Sequence, residues 1–249
     1  HLLIELVYLN EPKTFYKFGD GDYYFLRKEP VGSATPGRRA LSKGYDQINH
    51  EAFVSGAQLC DYYTCEIYPT NRGRFAQVID RKVDYPAEFG YGLVTNKWLL
   101  ETFSGRIGLI GADQKMNIIQ NLMEAPQYQD YLGLEKFEDY ISLPQKFACD
   151  DIDATEQMVA EQLKNSTSKI FLMGMGHVKS GLIHRLKKHA NAVFLDVGAS
   201  IDALAGIIDV NRPFAGDWTN YQIDEPHLYE GVDFLAYEGQ GKHITLSRE

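Results

Sequence analysis

Ile170-Phe171-Leu172-Met173-Gly174-Met175-Gly176-His177 runs from a continuous apolar segment into a glycine-rich turn. Four apolar residues in a row suit a parallel strand covered on both faces. Val178, Leu182, Ile183 and Leu186 then recur at helical spacing. Ala192-Val193-Phe194-Leu195 is a second apolar run, closed by Asp196-Val197-Gly198. Strand, turn, helix and strand in this order make a βαβ unit, which demands a right-handed crossover and a parallel sheet. Residues 106–123 begin the same way: Arg106-Ile107-Gly108-Leu109-Ile110, the turn Gly111-Ala112-Asp113, then a helical stretch. The fold class expected is α/β.

Working outward, the N-terminal part carries a second glycine-bracketed turn. Phe15-Tyr16-Lys17-Phe18 is aromatic and strand-like, and Gly19-Asp20-Gly21-Asp22 follows it. Asp20 and Asp22 place two carboxylates within one turn, a pair that suits a hard cation such as Mg or Mn bridging to a substrate phosphate. The same residues suit a plain helix start, with Asp20 as cap and Asp22 facing the dipole. The turn alone leaves both readings open.

The remaining pattern fills in the architecture. Residues 2–9 read as a helix, 45–59 as a helix, 62–68 as a strand, 71–74 as a loop, and 75–83 and 93–103 as helices. Residues 141–144 suggest a short strand, and Asp153 with Glu156 resembles a capped helix start. Residues 27–44 read as a loop holding Arg38-Arg39, a pair suited either to a diphosphate or to solvent. From about 209 the chain is loop-rich, with Asp217-Trp218 as a sugar platform or a buried Trp with its cap. At this length we expect residues 1–249 to form one domain.

Bulk properties narrow the function. A formal net charge of −9 argues against a general nucleic-acid binder. No apolar run is long enough to span a bilayer, so no transmembrane segment is expected. Cys60, Cys65 and Cys149 match no metal motif, and three cysteines fit a reducing cytoplasm better than a disulfide scaffold. The 16 tyrosines would suit a carbohydrate-contacting surface, although tyrosine also fills ordinary cores.

The turn at Gly174 and Gly176 stands where α/β sheets bind phosphate, at a strand end that opens a helix. It begins like a dinucleotide fingerprint, but Lys179 occupies the place of the third glycine. Asp196 ends the next strand, where a ribose-binding acid would sit. His177 suits a phosphate contact or a satisfied loop histidine. A nicotinamide-dependent oxidoreductase is one reading of these residues. It leaves the Asp20–Asp22 turn unexplained.

Taken together, Phe18-Gly19-Asp20-Gly21-Asp22, Met173-Gly174-Met175-Gly176 and Phe194-Leu195-Asp196-Val197-Gly198-Ala199-Ser200-Ile201-Asp202 resemble the GT-D type of glycosyltransferase. The resemblance spans residues 15–202 by order and spacing. It implies a Rossmann-like fold, a mostly parallel sheet with helices on both faces, and sugar transfer from a nucleotide diphosphate sugar, usually UDP-linked, to a glycan or glycoconjugate, with Mn or Mg. On that basis Asp20 and Asp22 are the metal ligands. Asp20, Asp22 and Asp202 are the catalytic candidates, and Gly19, Gly21, Gly174, Gly176, His177, Asp196 and Ser200 are expected at the nucleotide. Asp22 stands where the family usually has Glu, Lys17 near an Arg and Ala199 in place of a His. These departures also admit a catalytically inactive nucleotide-sugar binding module.

Overall fold

The computed structural model describes residues 1–29, 40–207, 221–230 and 244–246. The loop with Arg38-Arg39 and the Asp217-Trp218 segment lie outside the described residues. Seven parallel strands form one sheet in the order β3-β2-β1-β7-β6-β4-β5. They are β1 (Lys13–Phe18), β2 (Tyr62–Cys65), β3 (Tyr85–Pro86), β4 (Ile107–Ala112), β5 (Asp139–Leu143), β6 (Ile170–Gly174) and β7 (Val193–Asp196). A separate parallel pair, β8 (Tyr221–Ile223) and β9 (Ile244–Leu246), lies outside that sheet. The expected α/β, Rossmann-like architecture is therefore the one observed.

The helices are α1 (Leu2–Tyr8), α2 (Asp20–Leu26), α3 (His50–Gly56), α4 (Pro69–Val78), α5 (Ala87–Thr95), α6 (Trp98–Thr102), α7 (Asp113–Leu122), α8 (Pro126–Leu132), α9 (Ile152–Leu163), α10 (Lys179–Leu186) and α11 (Ser200–Leu204). Two apolar cores separate across the sheet, because successive strand residues point to opposite faces. Phe15, Leu172 and Leu195 face α1, α6, α7 and α11. Tyr16, Phe18, Phe171 and Phe194 face α2, α3, α4, α9 and α10. Hence α2 leaves β1 on one face and α11 leaves β7, its neighbour, on the other. The crevice between the two strand ends is where open α/β sheets take ligands.

Several boundaries differ from expectation, each for a local reason. Residues 71–74 are helical: Pro69 opens α4 at its first position, where a missing N–H costs nothing, and Gly73 is carried within it. The helix expected over 93–103 is two helices, parted at Lys97, whose φ of 65° is left-handed. Residues 45–59 hold a 3-10 turn, Tyr45–Gln47, ahead of α3. The cap of α9 is Asp151, which accepts from Ala154 N–H at 2.9 Å, rather than Asp153. The strand over 62–68 stops at Cys65 because Pro69 starts α4.

Helix α10 lies tight against α3. A Cβ on Gly56 would stand 2.5 Å from the Ser180 carbonyl and 3.1 Å from Gly181 Cα, so only glycine permits this approach. Gly73, by contrast, is exposed, with nothing within 4 Å of the same position. Gly56→Ala should therefore cost about 1–3 kcal/mol through overpacking, whereas Gly73→Ala should stabilise by about 0.5–1 kcal/mol. Urea denaturation of the two variants checks this; equal effects would contradict the packing described.

His184 on α10 borders the same contact, and its Nδ1 is buried with no hydrogen-bond partner. Burial, helped by Arg185, pushes its pKa down to about 4. The folded protein thus refuses a proton that the unfolded chain accepts near 6.5. Its stabilising contribution is complete above that value and declines as the pH falls towards 4. Denaturation midpoints at pH 7 and 5 should show the loss, and His184→Gln should flatten the slope. An unchanged slope in the variant would remove His184 as its source.

Candidate active site

Three strand ends meet at one cleft. It encloses about 230 Å³ and is lined by residues that include Asp22, Gly174, Gly176, His177, Lys179 and Asp196. Gly198, Asp202 and Lys115 complete its far wall.

The β1 side is built by a helix start. Gly19 caps α2, and Asp22 is its third residue. Asp22 Oδ2 accepts the Gly19 N–H at 2.8 Å while Asp22 N–H bonds the Gly19 carbonyl at 3.1 Å. This reciprocal arrangement satisfies donors that a helix start would otherwise leave open. The capping role therefore falls to Asp22 rather than Asp20. It also turns the Asp22 carboxylate inward, where the residue is buried.

Asp196 closes the β7 side. Its Oδ2 accepts from Lys17 N–H at 3.1 Å and its Oδ1 from Gly198 N–H at 3.0 Å. Between the two carboxylates lies the Lys179 ammonium, 3.0 Å from Asp22 Oδ2 and 3.0 Å from Asp196 Oδ2. It also donates to the Lys17 carbonyl and sits 4.8 Å from the centre of the Tyr16 ring. Burial works against the charge on Lys179, but Asp196 and Asp22 outweigh it and hold its pKa above the ordinary lysine range.

The other expected residues divide. His177 stacks on Phe25 at 4.9 Å and covers Gly21, where a Cβ would stand 3.0 Å from its ring. Burial lowers its pKa against the pull of Asp22, which favours the neutral ring at neutral pH. Gly174 is needed for packing, since a Cβ there would stand 2.8 Å from the Gly198 carbonyl and from Ile201. Gly176 differs: its φ is +58° and a Cβ there would meet nothing within 4 Å, so its backbone is open to approach. Gly19 has ordinary space around it. Asp202 lines the cleft and is ion-paired with Lys115 of α7.

Three candidates, Gly19, Asp20 and Ser200, do not join the cleft lining. Asp20 is exposed and its Oδ1 accepts from Gly21 N–H at 2.8 Å. Ser200 is buried, and its hydroxyl is without a hydrogen-bond partner. The pair Asp20–Asp22 expected to hold Mn or Mg is therefore split, one carboxylate outward and one inward on a lysine. Among the described residues no three His, Cys, Asp or Glu side chains converge on a possible cation position. This donor set does not fit a divalent ion held by the protein alone.

Sequence reading missed Lys179 and Lys115 as site residues. Lys179 was legible only as the residue that breaks the glycine pattern. A further signal was available: it lies three and four residues before Leu182 and Ile183, at a buried-stripe position of the helix. A lysine there needs a partner. Nothing comparable marks Lys115.

The chain is similar in structure to a protein described as a new glycosyltransferase (DUF1792) from Streptococcus sanguinis, with a TM-score of 0.51 and 12% identity. The similarity covers 99% of this chain and 96% of that one, and it shows a shared fold. No family model matches the sequence, and no curated protein matches it.

The ion triad yields a contrast between the two aspartates of the turn. Asp22→Asn should cost about 3 kcal/mol, the lower end for breaking a buried ion pair, because Asp196 still faces Lys179. Asp20→Asn should stay within about 0.5 kcal/mol, as for an exposed substitution. Chemical denaturation of both variants is the measurement, and equal costs would contradict the inward placement of Asp22.

Proposed function

We propose that this chain is a glycosyltransferase that moves a sugar from a nucleotide diphosphate sugar, UDP-linked, to a glycan or glycoconjugate acceptor. The observation that carries the reading is the cleft itself. It lies at the carboxyl ends of β1, β6 and β7, on a fold shared along almost its whole length with a glycosyltransferase.

The residues suggest how the work is divided. The open backbone at Gly176 takes the close approach of the nucleotide, and His177 beside it presents a neutral ring to the phosphates. Two lysines, Lys115 and Lys179, pair with three aspartates, Asp22, Asp196 and Asp202, around the cleft, and the Lys17 side chain lies close to Gly198 in its lining. Two carboxylates by themselves would repel a diphosphate, and the lysines cancel that repulsion. Asp202, ion-paired with Lys115, is the side chain assigned to the acceptor hydroxyl. As the new bond from the acceptor oxygen to the anomeric carbon forms, the proton passes to Asp202. The old carbon–oxygen bond breaks, and its electron pair leaves with the nucleoside diphosphate. No helix among the described residues is long and apolar enough to cross a membrane, and a cytoplasmic setting is part of this proposal.

A thermal-shift panel tests the reading. UDP and UDP-sugars should raise the melting temperature through binding to the native state, whereas NAD should not. Gly176→Ala should weaken UDP binding at least tenfold, that is by about 1.4 kcal/mol. A shift with NAD and none with UDP would replace the proposal by the oxidoreductase. UDP binding with no turnover of any UDP-sugar, hydrolysis included, would leave a binding module.

A further inference from the structure

The two carboxylates best placed to hold a cation in this cleft already hold one. An ammonium has three N–H donors, and Lys179 directs its donors to Asp22, Asp196 and the Lys17 carbonyl. The three side chains are shut from solvent, at 9% exposure for Lys179, 4% for Asp22 and 2% for Asp196. Each carboxylate is locked from behind by backbone N–H groups: Gly19 on Asp22, and Lys17 and Gly198 on Asp196.

This geometry leaves little for a metal to do. A divalent ion placed on Asp22 or Asp196 would stand close to a fixed positive charge and would have to displace it. Displacement would leave a lysine buried without its partners, an expensive state. Asp20 offers no substitute, since it faces outward on its own turn. A second lysine lies alongside. The Lys17 ammonium sits 5.0 Å from the centre of the Tyr91 ring, and a Cβ on Gly198 would lie 3.4 Å from it. Burial and the neighbouring Lys179 lower its pKa, and among the described residues it makes no ion pair, so an incoming anion would favour its charged form.

We infer that Lys179 is the resident cation of this cleft, that Asp22 and Asp196 are its positioning partners rather than metal ligands, and that a nucleoside diphosphate binds without a divalent ion. Lys179 balances the carboxylate charge and Lys17 meets the diphosphate. The inference rests on the reading of the cleft as a nucleoside diphosphate site.

The test uses the full chain stripped with EDTA. UDP affinity, measured by calorimetry, should agree within about twofold in EDTA, in Mn and in Mg. Mn titrated into the protein and followed by electron paramagnetic resonance should show no stoichiometric site, with or without UDP. Lys179→Ala frees the two carboxylates and should create Mn binding that the natural chain lacks. If that variant does not fold, the titrations of the unaltered chain still decide. UDP binding that appears only with Mn, or a stoichiometric Mn site in the unaltered chain, would overturn the inference and leave the glycosyltransferase reading standing. UDP that fails to bind under every condition would remove that reading and this inference with it.

Discussion

One ammonium group ties this structure together at its most demanding point. Lys179 comes from the start of α10, Asp22 from α2 and Asp196 from the end of β7. Burying any of the three alone would be costly, since an isolated charge in a low-dielectric interior has no compensation. Buried together, with backbone N–H groups on the carboxylates, they fix the relative positions of two helices and two strand ends. Such a triad adds little net stability over well-packed apolar residues. Its effect is on geometry, because it ties α2, α10 and the end of β7 together at the cleft wall.

The cleft also shows how one residue serves the helix start and the cleft wall together. Asp22 closes the start of α2 through Gly19, and the same oxygen receives Lys179. Capping and a place in the cleft are alternatives only while the Gly19–Asp22 turn is read by itself; in the folded chain one side chain does both. Gly174 and Gly176 make the opposite point. They belong to one motif, yet the first exists for strand–helix packing and the second leaves its backbone open.

Much of the fold was legible because its physics is local. The apolar runs of β6 and β7 and the stripe on α10 state a parallel unit without help from elsewhere. Boundaries were harder. A left-handed residue at Lys97 or a helix carrying Gly73 is settled by tertiary packing, which the local pattern does not contain. The site was half legible. Glycine and aspartate turns mark strand ends in the sequence, so Asp22, Gly176 and Asp196 could be named. Which charge faces which could not, because Asp22 and Lys179 are 157 residues apart and meet only across the finished sheet.

The strand order has a consequence for how the chain is made. Strand β1 pairs with β2 on one side and with β7 on the other, and β7 begins 180 residues after β1 begins. At ribosomal speeds of roughly 5–20 residues per second, the inner edge of β1 waits on the order of ten seconds or more for its partner. During that interval Asp22 has no lysine and Phe15 has an unfinished core. The N-terminal third of the chain is thus synthesised as an open sheet edge, and the last strand of the sheet to emerge is the one that closes it.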